Sequence, residues 1–180
     1  VSNILTQGGT ILGTSNKADP RRFEVDRKDE RPVYADVTDR VLAHVRDRGL
    51  DLLVCIGGDG TMTGAGHLVA RGLPCVGVPK TIDNDLAGTD VTFGFHTAVE
   101  VATEALDRIH TTASSHHRVM LVELMGRNAG WLTLEAGVAS GADVILIPEI
   151  PYAPAKVCEA CVKRSRRGKA FTLIEAIMVI

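Results

Sequence analysis

Apolar residues recur along this chain in two rhythms. Short continuous runs at residues 52–56, 74–78, 118–124, 144–147 and from 171 onward have the length and composition of buried strands. Between them, apolar positions return every three or four residues. Val37, Val41, Leu42 and Val45 predict a helix over 34–48, with Gly49 at the C-cap position. Further helices are predicted over 61–71, over 95–110 with Val99, Ala102, Leu106 and Ile109 on one face, from the glycine turn at 126–130 to about 140, and over 154–167. Residues 1–14 carry two turn signals, Gly8-Gly9-Thr10 and Gly13-Thr14-Ser15. Residues 15–31 are charged, contain Pro20 and read as a surface loop, and 86–94 read as irregular. No repeat of fixed period is visible.

Strands and helices therefore alternate. The expected class is α/β: a doubly wound, mostly parallel sheet covered by helices on both faces. Gly64, Ala65 and Gly66 in the second helix would let helix and sheet approach closely. Val1 to Gly13 already read as the middle of something, and the chain stops inside a strand-like run, so a fragment of a longer, incomplete fold is expected.

Composition narrows this picture only a little. The chain has 180 residues, 45% hydrophobic, with a formal charge of -2 and a pI near 6.3. That is enough for a real core, and nothing in the overall charge calls for nucleic acid. A single tryptophan and two tyrosines make no base-stacking platform. No signal peptide and no long apolar span occur, so no membrane partner is expected. Cys55 and Cys75 fall in apolar runs as expected buried small hydrophobes. Cys158 and Cys161 form a C-x-x-C without a second ligand pair, and read as reduced thiols on a helix. The compartment is expected to be reducing, and the location cytoplasmic.

The chemistry concentrates at two strand exits. Gly57-Gly58-Asp59-Gly60-Thr61 follows the first run, and Lys80-Thr81-Ile82-Asp83-Asn84-Asp85 follows the second, with one helix between them. If those strands run parallel, both turns open at the edge where open α/β sheets bind ligands. Glycines let backbone N–H groups approach phosphate oxygens. Asp59, Asp83 and Asp85 would then converge on one phosphate-sized space, where carboxylates need a metal ion or a proton to remove. A third stretch places Arg118 and Arg127 at either end of one strand, with a glycine turn at its exit. An arginine opening a helix after glycine can clamp a phosphate with two hydrogen bonds; a surface ion pair is the plainer alternative.

The glycine turn alone is shared with lipid and NAD kinases. Together with Pro79-Lys80-Thr81-Ile82-Asp83-Asn84-Asp85 and Met125-Gly126-Arg127-Asn128-Ala129-Gly130-Trp131, it resembles the 6-phosphofructokinase family over most of the chain. The resemblance implies a glycolytic, allosteric phosphotransferase that phosphorylates the 1-hydroxyl of fructose 6-phosphate with ATP and Mg²⁺. It implies Asp83 as the base at that hydroxyl, Asp59 as the magnesium carboxylate with Asp85 close by, and Thr81 touching the sugar phosphate or the transferred group. Gly57, Gly58, Asp59, Gly60, Thr61 and Lys80 would hold the donor, while Met125, Gly126 and Arg127 would line the sugar-phosphate pocket. Arg118 would reach the 6-phosphate in a neighbouring subunit, making a homo-oligomer (dimer or tetramer) with a shared active site. Residues 1–94 would belong to the donor domain and 95–180 to the sugar-phosphate domain, each incomplete, so this piece alone is expected to be inactive.

The donor rests on two positions. Gly60 leaves room for a nucleotide phosphate, where pyrophosphate-using members usually carry a second aspartate that would clash with it. Lys80 points towards pyrophosphate. A misplaced anion is harder to tolerate than an extra cation, so ATP is expected, with pyrophosphate as the alternative. Asn16 stands where the family commonly has a phosphate-bridging arginine; Lys17 beside it could substitute in part, though as a point charge. That departure leaves a third reading, a non-catalytic regulatory paralogue. His116-His117 reads as a solvated turn, the basic run from Lys163 to Lys169 as a solvated helix end, and the stretch from Ala170 to Glu175, which has a pilin-like look, as a buried strand.

Overall fold

The computed structural model describes residues 4, 6–15, 18–166 and 171–176. A single 3-10 turn, Pro20–Arg22, is capped by Asp19, whose side chain accepts from Arg21 N at 2.9 Å. It leads into an antiparallel hairpin of β1 (Phe23–Lys28) and β2 (Arg31–Ala35). Asp29 and Glu30 join the strands with φ of 48° and 63°, the backbone of a tight two-residue hairpin loop. This corrects the expected surface loop over 15–31 and the helix start at 34. The strands are exposed almost throughout and rich in charge, so they offered no apolar alternation to read. Helix α1 (Thr38–Asp47) begins only after Asp36, whose carboxylate accepts from Thr38 N at 2.8 Å.

The remaining elements follow the predicted alternation: β3 (Leu53–Gly57), α2 (Asp59–Ala70), β4 (Cys75–Pro79), α3 (Phe95–His116), β5 (Val119–Leu124), α4 (Trp131–Ala139), β6 (Val144–Leu146), α5 (Pro154–Ser165) and β7 (Phe171–Ala176). Helix α3 runs six residues past its predicted end at His110, and His117 closes it at φ 50°. The adjacent histidines are therefore an exposed helix end, as expected of a solvated turn.

The chain divides into two compact units, residues 1–53 with 63–76 and residues 54–62 with 77–180. In the first, Leu42 and Val45 of α1 pack with Leu68 and Leu73, and with half-buried Leu53 and Cys75. In the second, Phe95, Ala102 and Leu106 of α3 pack with Leu132 and Ala136 of α4, against Ile82, Val122 and Leu124. The second unit contains a parallel sheet in the order β5-β7-β6, with Val119 opposite Phe171 and Val144 opposite Leu173. Strands β3 and β4 are also neighbours. Leu53 N donates to Pro74 O at 3.0 Å near their starts and Lys80 N to Gly57 O at 2.9 Å at their ends. That pairing of start with start and end with end makes them parallel.

Each parallel strand beside α2 or α3 packs one face only. Val54 and Ile56 of β3 and Val119 and Leu121 of β5 are exposed, while Cys55, Met120 and Val122 point to the packed side. Cys55 and Cys75 are thus half-buried where full burial was expected; all four cysteines are free thiols. A β-carbon added at Gly64 or Gly66 would meet nothing within 4 Å. The close approach expected there is made instead at Gly77, where such an atom would lie 2.7 Å from Met62 Sδ. Lys163 and Arg164 close α5, and Arg164 bonds Asp143 at 2.8 Å instead of facing solvent freely. Residues 167–170 lie outside the described residues. Among the described residues, no helix is long and apolar enough to cross a membrane.

Leu106 is fully buried (0% exposed) and Val101 on the same helix is 62% exposed. Leu106→Ala is expected to cost about 2–5 kcal/mol, and Val101→Ala to stay within about 0.5 kcal/mol. Urea unfolding midpoints of the purified protein check both.

Candidate active site

All three chemical stretches belong to the second unit. Strand β3 leaves through Gly57 and Gly58 straight into α2, so Asp59, Gly60 and Thr61 form the first helical turn; the helix starts two residues earlier than predicted. No side chain fits at Gly57, because a β-carbon there would lie 2.2 Å from Thr61 Oγ1. The first intrahelical hydrogen bond runs from Met62 N to Gly58 O at 3.0 Å. The N–H groups before Met62 therefore have no intrahelical acceptor and leave a partly positive helix end. Asp59, Gly60 and Thr61 are all exposed there.

Strand β4 leaves beside that turn. Lys80 N donates to Gly57 O, and a β-carbon on Gly58 would touch Thr81 Cβ at 3.8 Å. The glycine turn and the acidic turn thus open at one edge of the pair, as predicted. Within the acidic turn, Asp83 N donates to Thr81 Oγ1 at 3.1 Å, and Thr81 Oγ1 donates to Asp83 Oδ2 at 3.4 Å. The other carboxylate oxygen, Asp83 Oδ1, is buried with no hydrogen-bond partner among the described residues. Burial, and then the negative charge of Asp85, push the Asp83 carboxyl above its ordinary range; the Thr81 hydroxyl opposes them. Asp85 and Lys80 are exposed.

The expected convergence of three carboxylates is only partly realised. Asp83 and Asp85 feel each other, and Asp59 stands on the adjoining turn, but among the described residues no three His, Cys, Asp or Glu side chains gather closely enough to hold a metal ion. That donor set suits Mg²⁺ carried on a substrate, since Mg²⁺ keeps waters and phosphate oxygens and takes only one or two protein carboxylates. Exposed Asp59, with Asp85 on the adjoining turn, would supply the one or two carboxylates such a complex takes.

At the exit of β5, Met125 and Arg127 are exposed and Gly126 is buried. Arg127 occupies a left-handed turn at φ 54°, and α4 begins only at Trp131. Arg127 is therefore in the turn before the helix, not at the helix start as expected. The turn is fastened by Glu149, whose Oε1 accepts from Gly130 N at 2.8 Å. Gly130 is required, because a β-carbon would lie 2.4 Å from Ile147 Cβ. Ile82 of the acidic turn packs on the same core as Leu124 and Leu132, which flank Arg127 in sequence. One hydrophobic cluster thus supports both segments.

Arg118 is not brought to them. It is exposed at the entrance of β5, while Met125, Gly126 and Arg127 follow its exit. Seven residue steps of strand separate it from Met125, roughly 23 Å. Asn16 and Lys17 lie outside the described residues. A cavity of about 520 Å³ lies in the first unit, lined by residues that include Phe23, Val41 and His44; none of the predicted site residues is among them. Three supporting residues escaped the sequence reading: Asn84, Thr92 and Glu149. Asn84 lay inside a quoted motif and offered a signal; Thr92 and Glu149 offered none.

The sequence profile of the family described as Phosphofructokinase matches residues 1–179. The chain is 56% identical over 174 residues to "ATP-dependent 6-phosphofructokinase 2" of Clostridium perfringens, covering 97% of this chain and 48% of that protein. The solved structure of Pichia pastoris phosphofructokinase in the T-state superposes with a TM-score of 0.80 at 33% identity, covering 99% of this chain and 20% of that one. A pyrophosphate-dependent phosphofructokinase from Marinobacter aquaeolei gives 0.68 at 27% identity, covering 78% of this chain and 40% of that one. The chain spans about half the length of the curated relatives it matches.

A carboxylate whose folded pKa lies above its unfolded value costs stability once ionised. Stability is therefore highest below the ordinary carboxylate range and is lost as pH rises through the folded pKa of Asp83. Asp83→Asn is expected to raise the urea midpoint at neutral pH, and the advantage should shrink as pH falls towards about 4. Equal midpoints at both pH values would contradict this account of the site.

Proposed function

The chain belongs to the phosphofructokinase family, and we propose that the complete protein is an ATP-dependent 6-phosphofructokinase. It transfers the terminal phosphoryl group of ATP to the 1-hydroxyl of fructose 6-phosphate, giving fructose 1,6-bisphosphate and ADP. The observation that carries this reading is the Asp83 carboxylate, with one buried oxygen unpartnered and its basicity raised, on a turn held beside the glycine exit of the next strand. A carboxylate with a free, desolvated oxygen is suited to take the proton from an attacking hydroxyl. The hydroxyl oxygen forms the new bond to phosphorus, the bond to the ADP oxygen breaks, and the proton goes to Asp83.

The other residues follow from this role. Thr81 orients Asp83 and lies where the transferred group passes. Gly57, Gly58, Gly60, Thr61 and the first turn of α2, with Lys80 on the neighbouring turn, receive the donor phosphates. Asp59 would hold Mg²⁺ with Asp85 close by, and the ion would supply charge neutralisation on the phosphates. Met125, Gly126 and Arg127 line the sugar-phosphate pocket. Arg118, remote from them at the other end of β5, serves the site of a second copy in a homodimer or homotetramer. In this reading residues 1–94 belong to the donor domain and 95–180 to the sugar-phosphate domain, and the enzyme is cytoplasmic.

ATP as donor is supported by the name of the relative at 56% identity and by Gly60. A β-carbon at Gly60 meets nothing within 4 Å, so the fold does not demand glycine there. In this reading the room at Gly60 receives a nucleotide phosphate. Exposed Lys80 favours the pyrophosphate reading, and a coupled assay with each donor separates the two: turnover with pyrophosphate alone would overturn ATP. Gly60→Asp is expected to leave the urea midpoint nearly unchanged and to abolish use of ATP by placing an anion against the phosphates.

Asp83→Asn is expected to lower kcat by about 10²–10⁴-fold with KM for fructose 6-phosphate changed only a few-fold. Steady-state kinetics measure this. A variant that keeps its turnover would remove Asp83 as the base, and a parent without turnover would leave the regulatory paralogue as the better reading.

A further inference from the structure

The stretch after the acidic turn carries no regular structure, yet it holds one of the most buried polar side chains. Thr92 is 2% exposed. Its hydroxyl donates to the carbonyl of Thr81 at 2.8 Å, and its N–H donates to Asn84 Oδ1 at 2.9 Å. The hydroxyl also lies 3.3 Å from Asn84 Oδ1, but its single proton is committed to the shorter contact. Thr92 therefore grips the turn at two points, one on either side of Ile82 and Asp83.

The neighbourhood is built to hold Thr92 there. Phe93 N donates to Pro79 O at 2.8 Å, and a bridge pairs Lys80 with Phe93. Asn84 has φ of 51°, a left-handed backbone that asparagine tolerates better than most residues. Its side chain, accepting from Thr92, holds the turn in that conformation. Ile82 is anchored in the core below. Between these fixed points the Asp83 carboxylate meets the Thr81 hydroxyl through Oδ2 and leaves Oδ1 unpartnered.

We infer that Thr92, acting with Asn84, is a positioning residue that sets the direction of the Asp83 carboxylate during phosphoryl transfer. The inference rests on the proposed kinase reading. Thr92 acts by fixing the Thr81 carbonyl and the Asn84 side chain, which stand on either side of Ile82 and Asp83. Reactions of this type depend on alignment within a fraction of an ångström, and a misplacement of about 1 Å can cost about 10²-fold in rate.

The test uses Thr92→Val, which keeps shape and the backbone donor but removes the hydroxyl, and Thr92→Ser, which restores it. On the complete protein, Thr92→Val is expected to lower kcat by roughly 10–100-fold, with KM for donor and sugar phosphate within about threefold and kcat largely regained in Thr92→Ser. Asn84→Gly, which keeps the left-handed backbone and deletes the other acceptor, is expected to show the same split and stands in if Thr92→Val does not fold. Unchanged kcat in these variants, or a loss that serine does not repair, would overturn the inference. If the parent protein transfers no phosphoryl group, the kinase reading fails instead. Amide hydrogen exchange then decides the clip: faster exchange at Asp83 and Asn84 in Thr92→Val but not in Thr92→Ser supports it, and equal exchange overturns it.

Discussion

The hydrogen bond from Lys80 N–H to the Gly57 carbonyl is small in energy but ties together the two strand exits that carry Asp59, Asp83 and Asp85. It joins two parallel strands at their exits, so that a glycine turn and an acidic turn leave the sheet side by side. The bond continues the pairing of β3 with β4. Gly57 carries no β-carbon to collide with Thr61, and Gly58 meets Thr81 only at van der Waals distance. A residue with a side chain at Gly57 would have to move the start of α2, and with it Asp59, away from Asp83.

Left-handed backbone and an unpaired buried oxygen occur on the turns that follow β4 and β5. Asn84 and Arg127 both take left-handed backbones, and Asp83 keeps a buried oxygen without a partner. Such features persist only where surrounding structure holds them in place. Here the support is specific. Ile82 is pinned by the cluster of Phe95, Leu106 and Ala136, Thr92 ties the turn from behind, and Glu149 secures Gly130 after the second turn. The stability that helices α3 and α4 gain from their common core offsets the cost of a carboxylate oxygen buried without a partner.

The two turns also show why family membership and residue roles are different kinds of statement. A matching profile over residues 1–179 establishes the family. It does not say which aspartate faces a hydroxyl. The burial and hydrogen bonds of Asp83 distinguish it from Asp59 and Asp85, which are exposed. Arg118 illustrates the same limit from the other side: it lies at the opposite end of β5 from Met125, Gly126 and Arg127, so its proposed role needs a second copy.

The alternation of strands and helices was legible because the parallel strands are short apolar runs, although here they pack one face only, and the helices between them repeat at three or four residues. The glycine and acidic turns were legible because few residue types tolerate a tight strand exit or place carboxylates beside phosphates. The hairpin over Phe23–Ala35 was not, since charged, exposed strands paired only with each other leave no apolar signature. Residue type and spacing did not separate the three aspartates, whose different roles came only from the family resemblance, because burial depends on how the chain folds around each turn. Only the folded chain brought Thr92 back onto Thr81 and Asn84 and left Asp83 Oδ1 dry and unpaired, since hydrogen bonds across eight or eleven residues depend on where the backbone returns.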